Sequence, residues 1–190
     1  MLEKILEWDR ETFIYLNNLG IEDYDLFWIT VTDFKTWIPL FLTFIALIFV
    51  KYPKREAFFV ILTILIMVLF VTTITDLTKF SVARLRPNND EDVNTLIRIL
   101  KSPTTYSFFS GHSSSSFSIT TIVVLFLRNR FKWSWLFYIW PVLFALSRIF
   151  VGVHFPVDII VGTLVGIFSA IFFYMLYVRL IAPYLRLSRP

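Results

Sequence analysis

Both histidines of this chain, together with an aspartate and a group of lysines and arginines, fall in three short stretches at the ends of apolar runs. The first stretch is Lys79-Phe80-Ser81-Val82-Ala83-Arg84-Leu85-Arg86-Pro87. Its spacing predicts that Lys79 and Arg86 lie two turns apart on one helix face, directed at a common anion, with Arg84 as an auxiliary cation. A phosphoryl group in transfer spreads negative charge over its equatorial oxygens. A chain without obvious metal ligands must then compensate that charge with Lys and Arg. Arg148, in the third stretch, adds a planar fork suited to phosphate. The same cations also suit an interfacial role, reaching toward lipid head groups.

The second stretch is Phe109-Ser110-Gly111-His112, followed by a serine run that opens an apolar helix. Backbone N–H groups and the helix dipole make such a start an anion site, and Gly111 lets the backbone approach closely. A serine run at a helix start also serves simply as a cap. The third stretch holds Ser147-Arg148, then His154 just before Pro156, then Asp158. A helix beginning near Pro156 sets the Asp158 carboxylate within reach of one nitrogen of His154 and fixes the tautomer. The other nitrogen is then free to attack phosphorus, forming a phosphohistidine that water hydrolyses. His112 is left as the general acid for the departing oxygen and later as base for the water. Asp158 as a plain helix-start acid, and a zinc site from His112, His154 and Asp158, are the competing readings. The surrounding cations argue against the metal.

These stretches resemble the type 2 phosphatidic acid phosphatase family, whose signatures are K-x6-RP, PSGH and SR-x5-H-x3-D. All three spacings are present in order over residues 79–158, with Phe109 standing where the family has proline. The resemblance implies phosphate binding by Lys79, Arg86, Ser110, Gly111 and Arg148, acid catalysis by His112, and attack by His154 supported by Asp158. It implies no cofactor and no metal. It also implies an amphiphilic substrate reached from the outer leaflet. Undecaprenyl diphosphate is the first expectation, with lipid A 1-phosphate, phosphatidylglycerophosphate and phosphatidic acid as alternatives.

The elements that must position these residues are membrane helices. Of 190 residues, 57% are hydrophobic and 19% aromatic, and the mean hydropathy is +0.70, more apolar than an ordinary soluble domain. The pattern predicts an all-α polytopic bundle of about five spans, with six an alternative, forming a single domain over residues 1–190. Residues 1–20 read as an amphipathic helix lying on the membrane surface. Spans are expected from near residue 26 to 50, over 57–75 and onward until Pro87, and over 113–127, 133–147 and 155–178. An extramembrane loop covers residues 87–110, with a short helix around 93–100. Lys51, Lys54, Arg55, Arg128, Arg130, Lys132, Arg179, Arg186 and Arg189 share one side with Glu56 as the only acid, which makes that side cytoplasmic. The three stretches then converge outside a bacterial cytoplasmic membrane.

With no cysteine, a thiol nucleophile and a thiolate metal site are excluded. The basic residues cluster at the ends of apolar runs, which argues for lipid head groups and topology and against nucleic acid. A proton-coupled transporter would also use His and Asp within spans, but the paired broken helices of an inverted repeat are missing from the sequence. Oligomeric state is open at this level.

Overall fold

Helix α1 (Leu2–Asn18) opens the computed structural model, which describes residues 2–184. Its buried stripe is Asp9, Phe13 and Asn17, four residues apart, while Ile5, Leu6, Trp8 and Tyr15 are exposed. The helix therefore turns an apolar side outward, as a surface helix bathed in lipid does, and presents two polar groups inward. Asn17 explains part of this inversion. Its amide donates to the carbonyls of Arg98 (3.1 Å) and Ile149 (2.8 Å) and accepts from Arg98 N–H at 2.7 Å, pinning α1 to the loop and to the end of a later helix.

The first span starts later than the sequence predicts. Helix α2 (Asp25–Val31) stops, and the Asp33 side chain accepts from Lys35 N–H at 3.0 Å, starting a new turn, Phe34–Trp37. Trp37 Nε1 donates to Val31 O at 2.8 Å and locks the bend. The membrane-crossing stretch is Phe34–Lys51, ending in helix α3 (Ile38–Lys51). Asp33 competes with the helix for backbone donors, as Asp side chains do.

Helix α4 (Lys54–Val82) runs back, and it too departs from expectation. It ends at Ala83, which takes a left-handed conformation (φ 51°) with its N–H bonded to Lys79 O at 2.9 Å. Arg84 and Arg86 thus follow the helix, and the picture of Lys79 and Arg86 on one helical face is corrected. A residue preceding proline avoids the α region, which favours an exit before Pro87. The loop that follows contains only one-turn 3-10 segments at Pro87–Asn89 and Asn94–Leu96, in place of the helix expected around 93–100. It is tied down by Arg98–Asp25 (2.6 Å) and by Arg10 to Asp90 and Asp92 (3.4 and 3.5 Å).

Helices α5 (Gly111–Leu127), α6 (Ile139–Phe150) and α7 (Pro156–Leu176) complete the bundle. A 3-10 stretch, Lys132–Tyr138, leads into α6. α5 and α7 approach most closely, because α7 carries Gly162, Gly166 and Ala170 at four-residue spacing against the serines of α5. A Cβ added at Gly162 would lie 2.6 Å from Ser110 O and 3.2 Å from Ser113 Cβ, and one at Gly166 would strike Ser114 O. Small residues at such a seam let backbones meet, the usual means of packing helices in lipid.

Among the described residues, four helical stretches are long and apolar enough to cross a membrane: Phe34–Lys51, Lys54–Asn89, Lys132–Phe150 and Pro156–Tyr184. α5 is a fifth, shorter apolar helix. The core between them contains Phe44, Ile48, Met67, Ile122, Phe126, Trp140 and Phe144, while Leu65, Leu69, Phe168 and Phe172 face outward. The all-α membrane architecture agrees with the sequence reading. Lys51, Lys54, Arg55, Arg128, Arg130, Lys132 and Arg179 fall at the helix ends opposite the 87–110 loop; Arg186 and Arg189 lie outside the described residues.

Candidate active site

His154 sits in the tight connection between α6 and α7. Gly152 makes that connection possible with φ +81°, a conformation L side chains avoid, and a Cβ there would lie 2.6 Å from Arg98 O. Val153 N–H then bonds Arg148 O at 3.1 Å, turning the chain so that His154 points inward, where it is 1% exposed.

The imidazole is held from both sides. Nδ1 lies 3.3 Å from Asp158 Oδ2 and 3.3 Å from Ser107 Oγ, and Ser107 Oγ also bonds Asp158 Oδ2 in a short contact. Nε2 lies 2.9 Å from Arg86 NH1. A guanidinium has donors only, so Nε2 must accept and the ring proton belongs on Nδ1, facing the carboxylate. The tautomer follows from the partners. Burial pushes the His154 pKa well below the usual histidine range, and the cations Arg86, Arg148, Lys79 and Arg84 push it further the same way. A neutral imidazole with its lone pair on Nε2 results.

Arg86 is itself fixed. Nε donates to Thr105 O at 2.7 Å, NH2 to Thr105 Oγ1 at 3.0 Å, and NH1 to Val153 O at 3.1 Å. Arg148 is 4% exposed; NH1 is bonded to Thr32 Oγ1 in a short contact, while its buried Nε has no partner among the described residues. An unpaired buried donor is costly unless an acceptor comes to it. Lys79 is half-buried, and its Nζ would lie 3.6 Å from a Cβ at Gly111.

Ser110 caps α5: its Oγ accepts from Ser113 N–H at 3.3 Å and its N–H donates to Asp158 O at 3.0 Å, joining the second and third stretches. His112 stacks on Phe144, centroids 4.8 Å apart and planes at 29°. With Arg148, Lys101, Ser102 and Pro103 it lines a cavity of about 340 Å³. Lys79, Asp76, Phe80, Thr104, Thr105 and Tyr106 line a second, of about 320 Å³. The residues singled out in the sequence thus gather at one end of the bundle, around one imidazole.

Arg84 differs from expectation. NH1 pairs with Asp158 Oδ1 at 2.8 Å and NH2 with Asp9 Oδ2 at 2.7 Å, and the guanidinium lies 4.0 Å over the Phe155 ring. Two carboxylates and an aromatic face occupy it, so its place as an auxiliary phosphate ligand is corrected to that of a partner of Asp158. Sequence reasoning also missed Ser107, Thr105, Thr32 and Asp9. Asp9 alone carried a signal, since it falls on the Asp9-Phe13-Asn17 stripe of α1.

Residues 57–182 match the PAP2 superfamily model. The chain belongs to the PAP2 superfamily of membrane phosphatases and is a phosphoric ester hydrolase. It is 30% identical over 192 residues, covering 100% of this chain and 81% of the relative, to a protein named lipid A 4'-phosphatase from Porphyromonas gingivalis. It is 35% identical over 131 residues, 68% of this chain and 58% of the relative, to an undecaprenyl-diphosphatase from Sulfolobus acidocaldarius. The fold matches the crystal structure of a transmembrane PAP2 type phosphatidylglycerolphosphate phosphatase from Bacillus subtilis, with TM-score 0.71 and 19% identity over 90% of this chain and 84% of that one.

Proposed function

We propose that residues 1–190 form one phosphatase domain that removes phosphate from an envelope lipid at the outer face of a bacterial cytoplasmic membrane, without a metal, through a phosphohistidine on His154. The observation that carries this reading is the polarised imidazole: a carboxylate and a serine on Nδ1, an arginine donor on Nε2. A phosphate arriving at Nε2 takes over the Arg86 NH1 donor and meets the free Nε of Arg148, with Lys79 and the start of α5 supplying further positive potential. Nε2 attacks phosphorus in line, the P–O bond to the lipid breaks, and His112 protonates the departing oxygen. The phosphoimidazolium that forms is balanced by Asp158 through Nδ1–H. Water, deprotonated by His112, then releases inorganic phosphate and restores His154.

For the lipid, the relative that matches along the whole chain favours a phosphomonoester of the lipid A type as the first choice, ahead of undecaprenyl diphosphate. The diphosphate remains the second reading because the 35% relative bears that name. The positive character of the end carrying Arg128, Arg130 and Lys132 supports a cytoplasmic location for it and an outward site. Phosphate release from a panel of lipid A, undecaprenyl diphosphate and phosphatidylglycerophosphate by protein purified in detergent tests the assignment. Lipid A should turn over fastest and His154→Ala should release nothing. Release by His154→Ala at the native rate would overturn the phosphohistidine.

A further inference from the structure

Asp9 is the one acidic residue of α1 that is wholly buried, and two donors hold it: Arg84 NH2 at 2.7 Å and Val157 N–H, in the first turn of α7, at 2.8 Å. Through Arg84 it continues into the site. Arg84 NH1 reaches Asp158 Oδ1 at 2.8 Å, and the other oxygen of Asp158 accepts from Phe155 N–H at 3.0 Å and faces His154 Nδ1 at 3.3 Å. The four groups form one continuous line, carboxylate, guanidinium, carboxylate, imidazole, that begins on α1 and ends on His154.

We infer that Asp9 is a positioning residue of the phosphatase reaction, acting through Arg84 to keep Asp158 oriented toward His154. The charge count shows why it is needed. Asp158 paired with Arg84 alone is neutral as a unit and offers little to an imidazole that becomes positive when phosphorylated. A second carboxylate on the far side of Arg84 restores a net charge of minus one to the group, delivered in a buried setting where it is weakly screened. Geometry acts in the same direction, because the planar fork of Arg84 is fixed when both arms are engaged. Burial pushes the Asp9 carboxyl above the ordinary aspartate range while Val157 N–H and Arg84 pull it back. A carboxylate placed at that cost, on a helix with ample exposed positions, is consistent with work at the site. The inference rests on the phosphohistidine reading and makes α1 part of the catalytic apparatus, beyond its place at the membrane surface.

The test is a double-mutant cycle on the full chain in detergent, with His154→Ala as reference and phosphate release from a short-chain lipid phosphate as the readout. Asp9→Asn keeps an acceptor for Val157 N–H and removes the charge. It should lower kcat on the order of tenfold to a hundredfold with KM nearly unchanged. Arg84→Gln should also lower kcat, and Asp9→Asn added to Arg84→Gln should change it by less than about twofold. Equal losses from Asp9→Asn in both backgrounds, or a wild-type kcat with only a lower melting temperature, would overturn the inference. If Asp9→Asn does not accumulate, Asp9→Ser, which also leaves an acceptor, is put through the same cycle. An active His154→Ala would remove the phosphohistidine reading itself, whereas inactive His154→Ala beside fully active Asp9→Asn would remove the Asp9 role alone.

Discussion

Ser107 Oγ lies between the two groups it serves, in a short bond to Asp158 Oδ2 and 3.3 Å from His154 Nδ1. It comes from the loop after α4, anchored by Ser107 N–H to Arg84 O at 2.8 Å, so the loop closes the pair from outside the α6–α7 connection. Ser107→Ala should leave substrate binding intact and lower kcat roughly tenfold to a hundredfold, the cost of a lost hydrogen bond to a buried charge. Steady-state kinetics separates the two constants, and a change confined to KM would contradict the role.

The depressed pKa of His154 fixes the direction of the pH response. In the proposed mechanism the nucleophile is the neutral imidazole, so kcat/KM should stay high as pH falls and decline only below the usual histidine value of about 6.5. The folded state disfavours the proton that the unfolded chain accepts. Stability from this group is therefore complete above about pH 6.5 and shrinks as pH drops below it. An acid limb at or above that value in a kcat/KM profile would contradict the burial and cation effects on this ring.

Gly162 controls the seam that carries Ser110 to Asp158. Gly162→Ala puts a methyl 2.6 Å from Ser110 O, and since both partners are backbone-fixed, α5 must shift. A loss of about 1–3 kcal/mol is expected from overpacking of this kind, read as a lower melting temperature in detergent. Phosphate release should fall as well, because Ser110 N–H bonds Asp158 O. The same substitution at Gly20, where the nearest groups are Arg98 NH1 and the Asn17 carbonyl, both at 3.1 Å against 2.6 Å at Gly162, should cost less.

Vanadate, which takes the five-coordinate geometry of phosphate in transfer, should inhibit competitively, and EDTA should leave turnover unchanged. The expectation follows from cations, Lys79, Arg86 and Arg148, where a metal-assisted site would gather acids. Loss of phosphate release on chelation, restored by a divalent ion, would contradict it.

The candidate catalytic group was legible because the chemistry proposed for it needs rare residue types at short spacings. The chain has two histidines, and His154 and Asp158 lie four residues apart, so local geometry brings them together. The apolar runs were legible for the same kind of reason, since lipid imposes length and composition on each helix separately. Span ends were less so. Asp33 and Ala83 redirect the chain through single side-chain and backbone bonds that hydropathy does not register.

What the sequence alone determined is the membrane bundle, the family, and the pairing of His154 with Asp158. Tertiary structure decided which cation does what. Arg84 and Arg86 are the same residue type two positions apart, yet Arg86 meets His154 and Arg84 is held between Asp9 and Asp158. That division depends on where α4 stops and on a carboxylate 75 residues away. A long-range ion pair leaves no periodicity in the chain, because its partners are chosen by packing and not by spacing.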